Sequence, residues 1–125
     1  MASTKILERV GKIRVSVTAG VAGGEVIPVE SPFVTTISDN ADKQISLPVA
    51  TVGDVIVITV GSTGCELVSS VAAHKVNNVT VGATNEAALT ANNTYVCTYV
   101  AANTWIVVGY TNLGAVQAAL VPDAL

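Results

Sequence analysis

The sequence has little charge for a folded domain. Asp, Glu, Lys and Arg make up 12% of its 125 residues, whereas an average globular protein carries about 25%. From Ala87 to Pro122 there is no charged residue at all. A monomer would have to solvate that stretch with Thr, Asn and Tyr alone, so we expect part of it to be buried against another subunit.

Reactive side chains are also few. His74 is the single histidine, so a histidine-based triad or a multi-histidine metal site cannot be built within one chain, and we expect His74 to be a solvated loop residue. Cys65 and Cys97 form no C-x-x-C pair. We interpret them as small buried hydrophobes, with a disulfide between them as the alternative. No acid–base, nucleophile or metal cluster is recognisable, so we expect neither enzymatic activity nor a cofactor.

Long hydrophobic runs are missing, although 50% of the residues are hydrophobic. Asp, Asn, Gly, Thr and Pro interrupt every apolar stretch before it reaches the ~20 residues that a membrane-spanning helix needs. The opening decapeptide, MASTKILERV, lacks the apolar core of a secretory signal. We therefore expect no membrane association, and folding in a cytoplasm.

The few charges are unevenly distributed. In the first 14 residues four cations accompany one acid, a net charge of +3, whereas the rest of the chain has a net charge of -6. Apolar side chains lie between the cations, which is less typical of a nucleic-acid-binding tail than of an arm that docks on an acidic protein surface. The residues expected to make this contact are Lys5, Ile6, Leu7, Arg9, Val10, Lys12 and Arg14.

Beyond residue 12 the pattern is typical of short β-strands. IRVSVTA alternates apolar and polar residues, and DVIVITV, from Asp54 to Val60, is apolar on both faces, as expected of a strand covered on both sides. Gly, Asn, Asp and Pro separate such runs at intervals of about 8 to 12 residues. The pattern predicts an all-β protein, an antiparallel β-sandwich or jelly-roll-like barrel with an extended N-terminal arm.

The expected organisation has three parts. Residues 1–12 form the arm, residues 13–113 the β-sandwich domain, and residues 114–125 a C-terminal tail. The segment NLGAVQAALVPDAL, which includes this tail, has the composition for one or two helical turns before Pro122 stops them.

The strongest local signal is a hairpin between Thr94 and Thr111. Two runs of β-branched and aromatic residues flank a short Ala-Ala-Asn-Thr turn. The side chains expected to pack in the core or between subunits are Val55, Val57, Tyr95, Tyr99, Trp105 and Val107. A sugar-stacking platform built from Trp105 and the tyrosines is the alternative interpretation.

Residues 46–112 carry several structural motifs in a fixed order. These are a Leu-Pro-x-Ala element (Leu47, Pro48, Ala50), a Gly-led apolar strand (Gly53), an asparagine turn (Asn77, Asn78), an L-T-A-x-x-T rise (Leu89, Thr90, Ala91, Thr94) and a closing T-W (Thr104, Trp105). In this order they resemble a recurrent module of tailed-bacteriophage virion proteins. The resemblance implies a β-sandwich or jelly-roll unit on a head or tail appendage, often a trimer. The first 45 residues have no counterpart in the module.

The size of the chain favours one member type of this family. A fibre or spike needs a repetitive stalk or a long tip, and the sequence has no heptads and no repeats. It is more similar to a capsid decoration (cement, or head auxiliary) protein. The resemblance then implies a homotrimer on the capsid surface of the virion, made in the bacterial host cytoplasm, which binds and bridges major capsid protein subunits and takes no small-molecule substrate.

Two other functions are weighed against this one. The alternative within the resemblance is a receptor- or carbohydrate-binding β-module of a phage tail or head fibre, which would need a solvent-accessible Trp105. Binding of nucleic acid is not expected, because the net charge of -6 beyond the arm repels phosphate.

Overall fold

The computed structural model describes residues 14–82 and 84–125. These residues form eleven β-strands and no helix, which confirms the all-β class. In chain order the strands are β1 (Val15–Thr18), β2 (Phe33–Ile37), β3 (Gln44–Leu47), β4 (Val55–Thr59), β5 (Cys65–Ser69), β6 (Lys75–Val76), β7 (Val79–Thr80), β8 (Asn85–Leu89), β9 (Thr94–Ala101), β10 (Thr104–Tyr110) and β11 (Asp123–Ala124). The expected arm over residues 1–12 lies outside the described residues.

The strands form two sheets that enclose one core. The larger sheet has the order β1-β2-β4-β9-β10-β6-β7, and the smaller has the order β11-β8-β5-β3. Side chains from both sheets meet in a single buried cluster, with Ile58 and Trp105 from the larger sheet and Leu67 and Leu89 from the smaller. Two sheets packed through their inner faces are a β-sandwich, as the sequence predicts.

Both sheets are mixed rather than antiparallel throughout. β1 runs parallel to β2, β2 to β4, β3 to β5, and β6 to β10. From β2 to β5 the chain alternates between the larger and the smaller sheet. As a result, β4 lies beside β2 and β5 lies beside β3, and the two strands of each pair run in the same direction. The structure therefore corrects the antiparallel pairing expected from the sequence at these four pairs, because hydrophobic alternation shows which face of a strand is buried but not which strand is its neighbour.

The hairpin predicted between Thr94 and Thr111 is confirmed. β9 and β10 pair antiparallel along their whole length. Asn103 in the turn has a φ of 56°, a left-handed conformation that asparagine tolerates better than most residues. The ladder register shifts between Thr104 and Trp105, and the alternation along β10 places the Trp105 side chain in the core together with Val107.

A second, tighter hairpin joins β6 to β7. Asn77 and Asn78 both have positive φ, of 48° and 70°, as a two-residue turn with a right-handed strand twist requires. The Asn77 side chain also fixes the neighbouring chain segments: its Nδ2 donates to the backbone oxygens of Val107 and Leu120, at 3.0 and 2.8 Å. The turn therefore ties β10 to the segment that follows it.

Two local predictions are wrong. β4 was expected to be covered on both sides, but only Ile56 and Ile58 are buried, and Val55 keeps 37% of its surface exposed. The strand is central by hydrogen bonding, yet the outer face of its sheet has no covering layer in the described part of the chain. The segment after β10 forms no helical turn either, because the Gln117 backbone amide donates to the Gly109 oxygen instead.

No helix among the described residues is long and apolar enough to cross a membrane.

Candidate interaction surface

The outer side of the larger sheet carries no charged side chain on its four central strands, β2, β4, β9 and β10. Because successive side chains of a strand point to opposite faces, the strand registers place one set of residues on this side. We call this surface the uncharged face. It comprises Phe33, Thr35, Ile37, Val55, Val57, Thr59, Thr94, Val96, Thr98, Val100, Thr104, Ile106, Val108 and Tyr110.

An apolar row crosses the middle of the uncharged face. Phe33 lies opposite Val57, Val57 opposite Val96, and Val96 opposite Val108. Direct cross-strand neighbours have Cβ atoms about 5 Å apart, so the four side chains form a continuous ridge. Phe33 is 44% exposed and Val108 36%. A contiguous apolar ridge on an uncharged surface is a candidate for contact with another protein.

The rows beside the ridge are uncharged as well. On one side Val55, Thr98 and Ile106 are aligned across β4, β9 and β10. Ile106 is 41% exposed. The row on the other side is made of threonines and Tyr110. Threonine methyl and hydroxyl groups suit a surface that is wet in the free protein and packed in a complex.

The size of the uncharged face limits what it can do alone. Four strands about 4.8 Å apart and about five residues long cover roughly 300 Å² in projection. A standard-size protein interface buries about 800 Å² on each partner. The uncharged face can therefore be the centre of a contact, but stable binding needs further contacts around it.

His74 is not the solvated loop residue that the sequence predicts. Only 2% of its surface is exposed. Its Nδ1 lies 2.6 Å from Ser69 Oγ and 3.2 Å from Trp105 Nε1. The prediction is wrong because Lys75 and Val76 pair in parallel with β10, which carries the residue before them into the core beside Trp105. The missed signal was alternation, with His74 and Val76 inward and Lys75 outward.

The hydrogen bonds of His74 determine its protonation. An indole N–H only donates, so Nδ1 accepts from Trp105 and carries no proton, and the neutral imidazole holds its proton on Nε2. Burial lowers the pKa of His74, because desolvation disfavours the charged ring. The hydrogen bond to the His74 imidazole orients the Trp105 indole within the core.

The aromatic residues expected to pack in the core are buried. Trp105 and Tyr95 are fully buried, and Tyr99 is 6% exposed. The Tyr99 and Trp105 rings lie 5.1 Å apart, edge to face. The Tyr99 hydroxyl accepts a hydrogen bond from the Asn103 amide at 2.6 Å. A sugar could not stack on Trp105 unless the core opened, so the alternative platform is not formed.

The remaining predicted residues have different positions. Val107 is buried at 2% exposure, whereas Val55 and Val57 lie on the uncharged face. Arg14 is exposed. The other arm residues, Lys5, Ile6, Leu7, Arg9, Val10 and Lys12, lie outside the described residues.

Both cysteines are free thiols in the core. No disulfide joins Cys65 to Cys97. Desolvation raises the pKa of Cys65 to about 11 and that of Cys97 to about 12, so neither forms a thiolate at neutral pH. They act as small buried hydrophobes, as the sequence predicts.

An acidic cluster on the smaller sheet was not predicted from the sequence. Glu66 on β5 has an oxygen, Oε2, that is buried and has no hydrogen-bond partner among the described residues. Burial, together with the negative charges of Glu86, Asp123 and Asp42, raises the pKa of Glu66 to about 7. Alternation within Cys65–Ser69 could have placed Glu66 on the outer side of β5, but the other acids come together only through sheet pairing.

A cleft of about 470 Å³ lies on the outer side of the smaller sheet, between the Ala22–Gly24 bend and β3. Its polar groups are already paired: the Ser46 hydroxyl donates to the Gly23 oxygen at 2.7 Å, and the Gly23 amide donates to Gln44 Oε1 at 2.7 Å. In the described part of the chain, no group of three or more His, Cys, Asp or Glu side chains is arranged to hold a metal ion.

No family model matches the chain, and no curated protein or solved structure is significantly similar to it.

Proposed function

We propose that this protein is a structural component of a bacteriophage virion, a capsid decoration or cement protein. Three copies form a homotrimer on the capsid surface, and each copy binds major capsid protein subunits and bridges them. The observation that carries the proposal is the uncharged face, because a four-strand surface without charge and with an apolar ridge is suited to contact between proteins rather than to chemistry. The motif resemblance of residues 46–112 supplies the class of assembly.

The uncharged face is the proposed contact between copies. The ridge from Phe33 to Val108 is its centre, and the threonines around it form the wet rim. In a ring of three, each copy presents one surface to one neighbour and a different surface to the other. The exposed apolar residues in the loops, Val49, Val52, Leu113 and Val116, supply the further area that the uncharged face lacks.

The basic first segment is the proposed contact with the capsid. Residues 1–14 have a net charge of +3, and Arg14, the last of its four cations, is exposed at the start of the larger sheet. Once one segment of a trimer has bound, the second and third bind at a high effective concentration. Three weak contacts to different capsid subunits thereby give tight binding, and bridging resists the outward pressure of packaged DNA.

The test has two measurements on the purified chain. Light scattering is expected to give a mass of three times 12.7 kDa, and co-sedimentation with undecorated capsids is expected to show binding. Deletion of residues 1–12 should leave the trimer intact and abolish co-sedimentation. A stable monomer would contradict the proposed assembly, and undiminished capsid binding by the truncated protein would contradict the role of the basic segment.

The burial of Trp105 argues against the receptor- or carbohydrate-binding alternative. That function needs an aromatic platform in solvent, and Trp105 has no exposed surface. We expect acrylamide to quench its fluorescence only weakly in the folded protein. Ready quenching that an added oligosaccharide suppresses would instead favour the alternative.

A further inference from the structure

The last strand, β11, is held against β8 beside a repulsive pair of acids. Asp123 lies directly opposite Glu86 in the antiparallel pairing. Like charges in directly opposed positions destabilise a strand pair. One further hydrogen bond follows, from the Leu125 amide to the Thr84 oxygen at 3.1 Å.

Glu66 is the third member of this acidic group. It lies on β5, the next strand beyond β8, and one of its carboxylate oxygens is buried without a partner among the described residues. Acidic side chains face it from three other elements: Glu86 from β8, Asp123 from β11, and Asp42 from the turn before β3.

The two neighbouring donor side chains, Gln44 and Lys43, are bonded to acids other than Glu66. Gln44, opposite Glu66 on β3, donates its amide to Glu86 at 2.7 Å. Lys43 is paired with Asp39 at 2.7 Å. Burial and the negative charges of Glu86, Asp123 and Asp42 raise the pKa of Glu66 to about 7. The charge of Glu66 therefore changes near neutral pH, and the net charge of the cluster changes with it.

The segment before β11 is anchored more firmly than β11 itself. Leu120 is 7% exposed, and its backbone oxygen accepts a hydrogen bond from Asn77 Nδ2 at 2.8 Å. Pro122 is also buried, whereas Asp123 and Ala124 are both exposed. A two-residue edge strand has little burial to hold it, so separation can be confined to the residues after Pro122.

We propose that β11 is an acid-closed latch on the smaller sheet: it pairs with β8 while Glu66 is protonated and separates when Glu66, Glu86 and Asp123 are all ionised. Opening the latch leaves the Thr84 oxygen without the Leu125 amide as its donor and presents β8 as a free edge for another strand. It also removes Leu125 from the lining of the adjoining cleft. The latch is independent of the proposed virion role.

The test is the mobility of Ala124 as a function of pH. Methyl 13C relaxation of the full chain reports the order parameter of this residue without interference from amide exchange. We expect a value of about 0.8 at pH 5.5 and below about 0.6 at pH 8.5, the ranges of rigid and mobile backbone. The Ala87 methyl, buried in β8, should stay rigid at both pH values.

Two variants separate the latch from a general effect of charge. Glu66→Gln keeps the shape of the side chain without its charge, and should keep Ala124 rigid at pH 8.5. The matched control, Asp54→Asn, removes one negative charge from the residue just before β4, a strand of the larger sheet. In this variant Ala124 should become mobile at high pH, as in the parent chain. The latch is overturned if Ala124 has the same order parameter at both pH values, if Glu66→Gln opens like the parent chain, or if Ala87 becomes mobile together with Ala124.

Discussion

Trp105 Nε1 donates a hydrogen bond to His74 Nδ1 across 3.2 Å in the core of the sandwich. Ser69 Oγ shares the same acceptor at 2.6 Å. The contact links β10 of the larger sheet to β5 of the smaller one through a single imidazole ring. Two buried donors therefore depend on one nitrogen atom, and the ring must stay neutral for that atom to accept.

Replacing His74 by phenylalanine is expected to destabilise the protein strongly. An aromatic ring is kept, but Trp105 Nε1 loses its acceptor and Ser69 Oγ retains only the Leu47 oxygen at 3.5 Å. An unsatisfied buried group costs about 1–3 kcal/mol. We expect a loss of about 2–4 kcal/mol in the free energy of unfolding measured with urea. His74→Gln, which keeps an acceptor oxygen, should recover part of it.

The matched control for that series is Lys75→Ala at the next position. Lys75 is exposed on β6, so its loss should change the free energy of unfolding by less than about 0.5 kcal/mol. If His74→Phe were as stable as this control, the hydrogen bonds of His74 would have no structural role.

Acid should weaken the contribution of His74. Its pKa in the folded protein lies below the ordinary value of 6.5, so the unfolded chain takes up a proton first as the pH falls. The stabilisation is complete above pH 6.5 and declines below it. We expect the stability difference between the parent chain and His74→Gln to shrink from pH 7.5 to pH 5. A constant difference across that range would contradict a lowered pKa.

Glu66 should produce the opposite dependence. Its pKa is raised from 4.5 to about 7 in the folded protein, so the folded state holds a proton that the unfolded state has lost. This contribution is complete below pH 4.5 and disappears as the pH rises through about 7. Glu66→Gln should therefore be more stable than the parent chain at pH 8 and equal to it near pH 4. Equal stability at pH 8, measured by urea unfolding, would show that the buried carboxylate carries no cost.

Local pattern predicted those features that neighbouring residues determine by themselves. The β9–β10 hairpin is one, because alternation over Thr94–Ala101 and a turn with Asn103 fix both its faces and its pairing. The position of His74 is only partly one, because alternation with Lys75 and Val76 would turn it inward, but the two-residue strand that fixes this alternation forms only through its pairing with β10. The two faces of β4 are similarly apolar, so its sequence does not distinguish the face that the smaller sheet covers from the face that is open to solvent.

The acidic cluster shows the same limit at longer range. Glu66 and Asp123 are 57 positions apart in the sequence, and the charge of Asp123 acts on Glu66 only because β8 pairs with both β5 and β11. Composition did indicate a surface without charge, since the uncharged stretch from Ala87 to Pro122 includes β9 and β10. It did not indicate that β2 and β4 complete that surface, because their membership depends on parallel pairing.

A lysine in the middle of the ridge should break the proposed contact between copies. Val96 lies between Val57 and Val108 on the uncharged face, so Val96→Lys places a charge where no opposite charge is present. Because the side chain points outward, the monomer should lose less than about 1 kcal/mol of folding stability, whereas an unpaired charge buried in an interface costs several kcal/mol. We expect the mass from light scattering to fall from three times 12.7 kDa to one, with an unchanged circular dichroism spectrum.

Ser62→Lys, on an exposed turn between β4 and β5, adds the same charge and should remain a trimer. If the Val96→Lys variant remained a trimer as well, the contact between copies would lie on another surface, and the uncharged face would be the one left for the capsid.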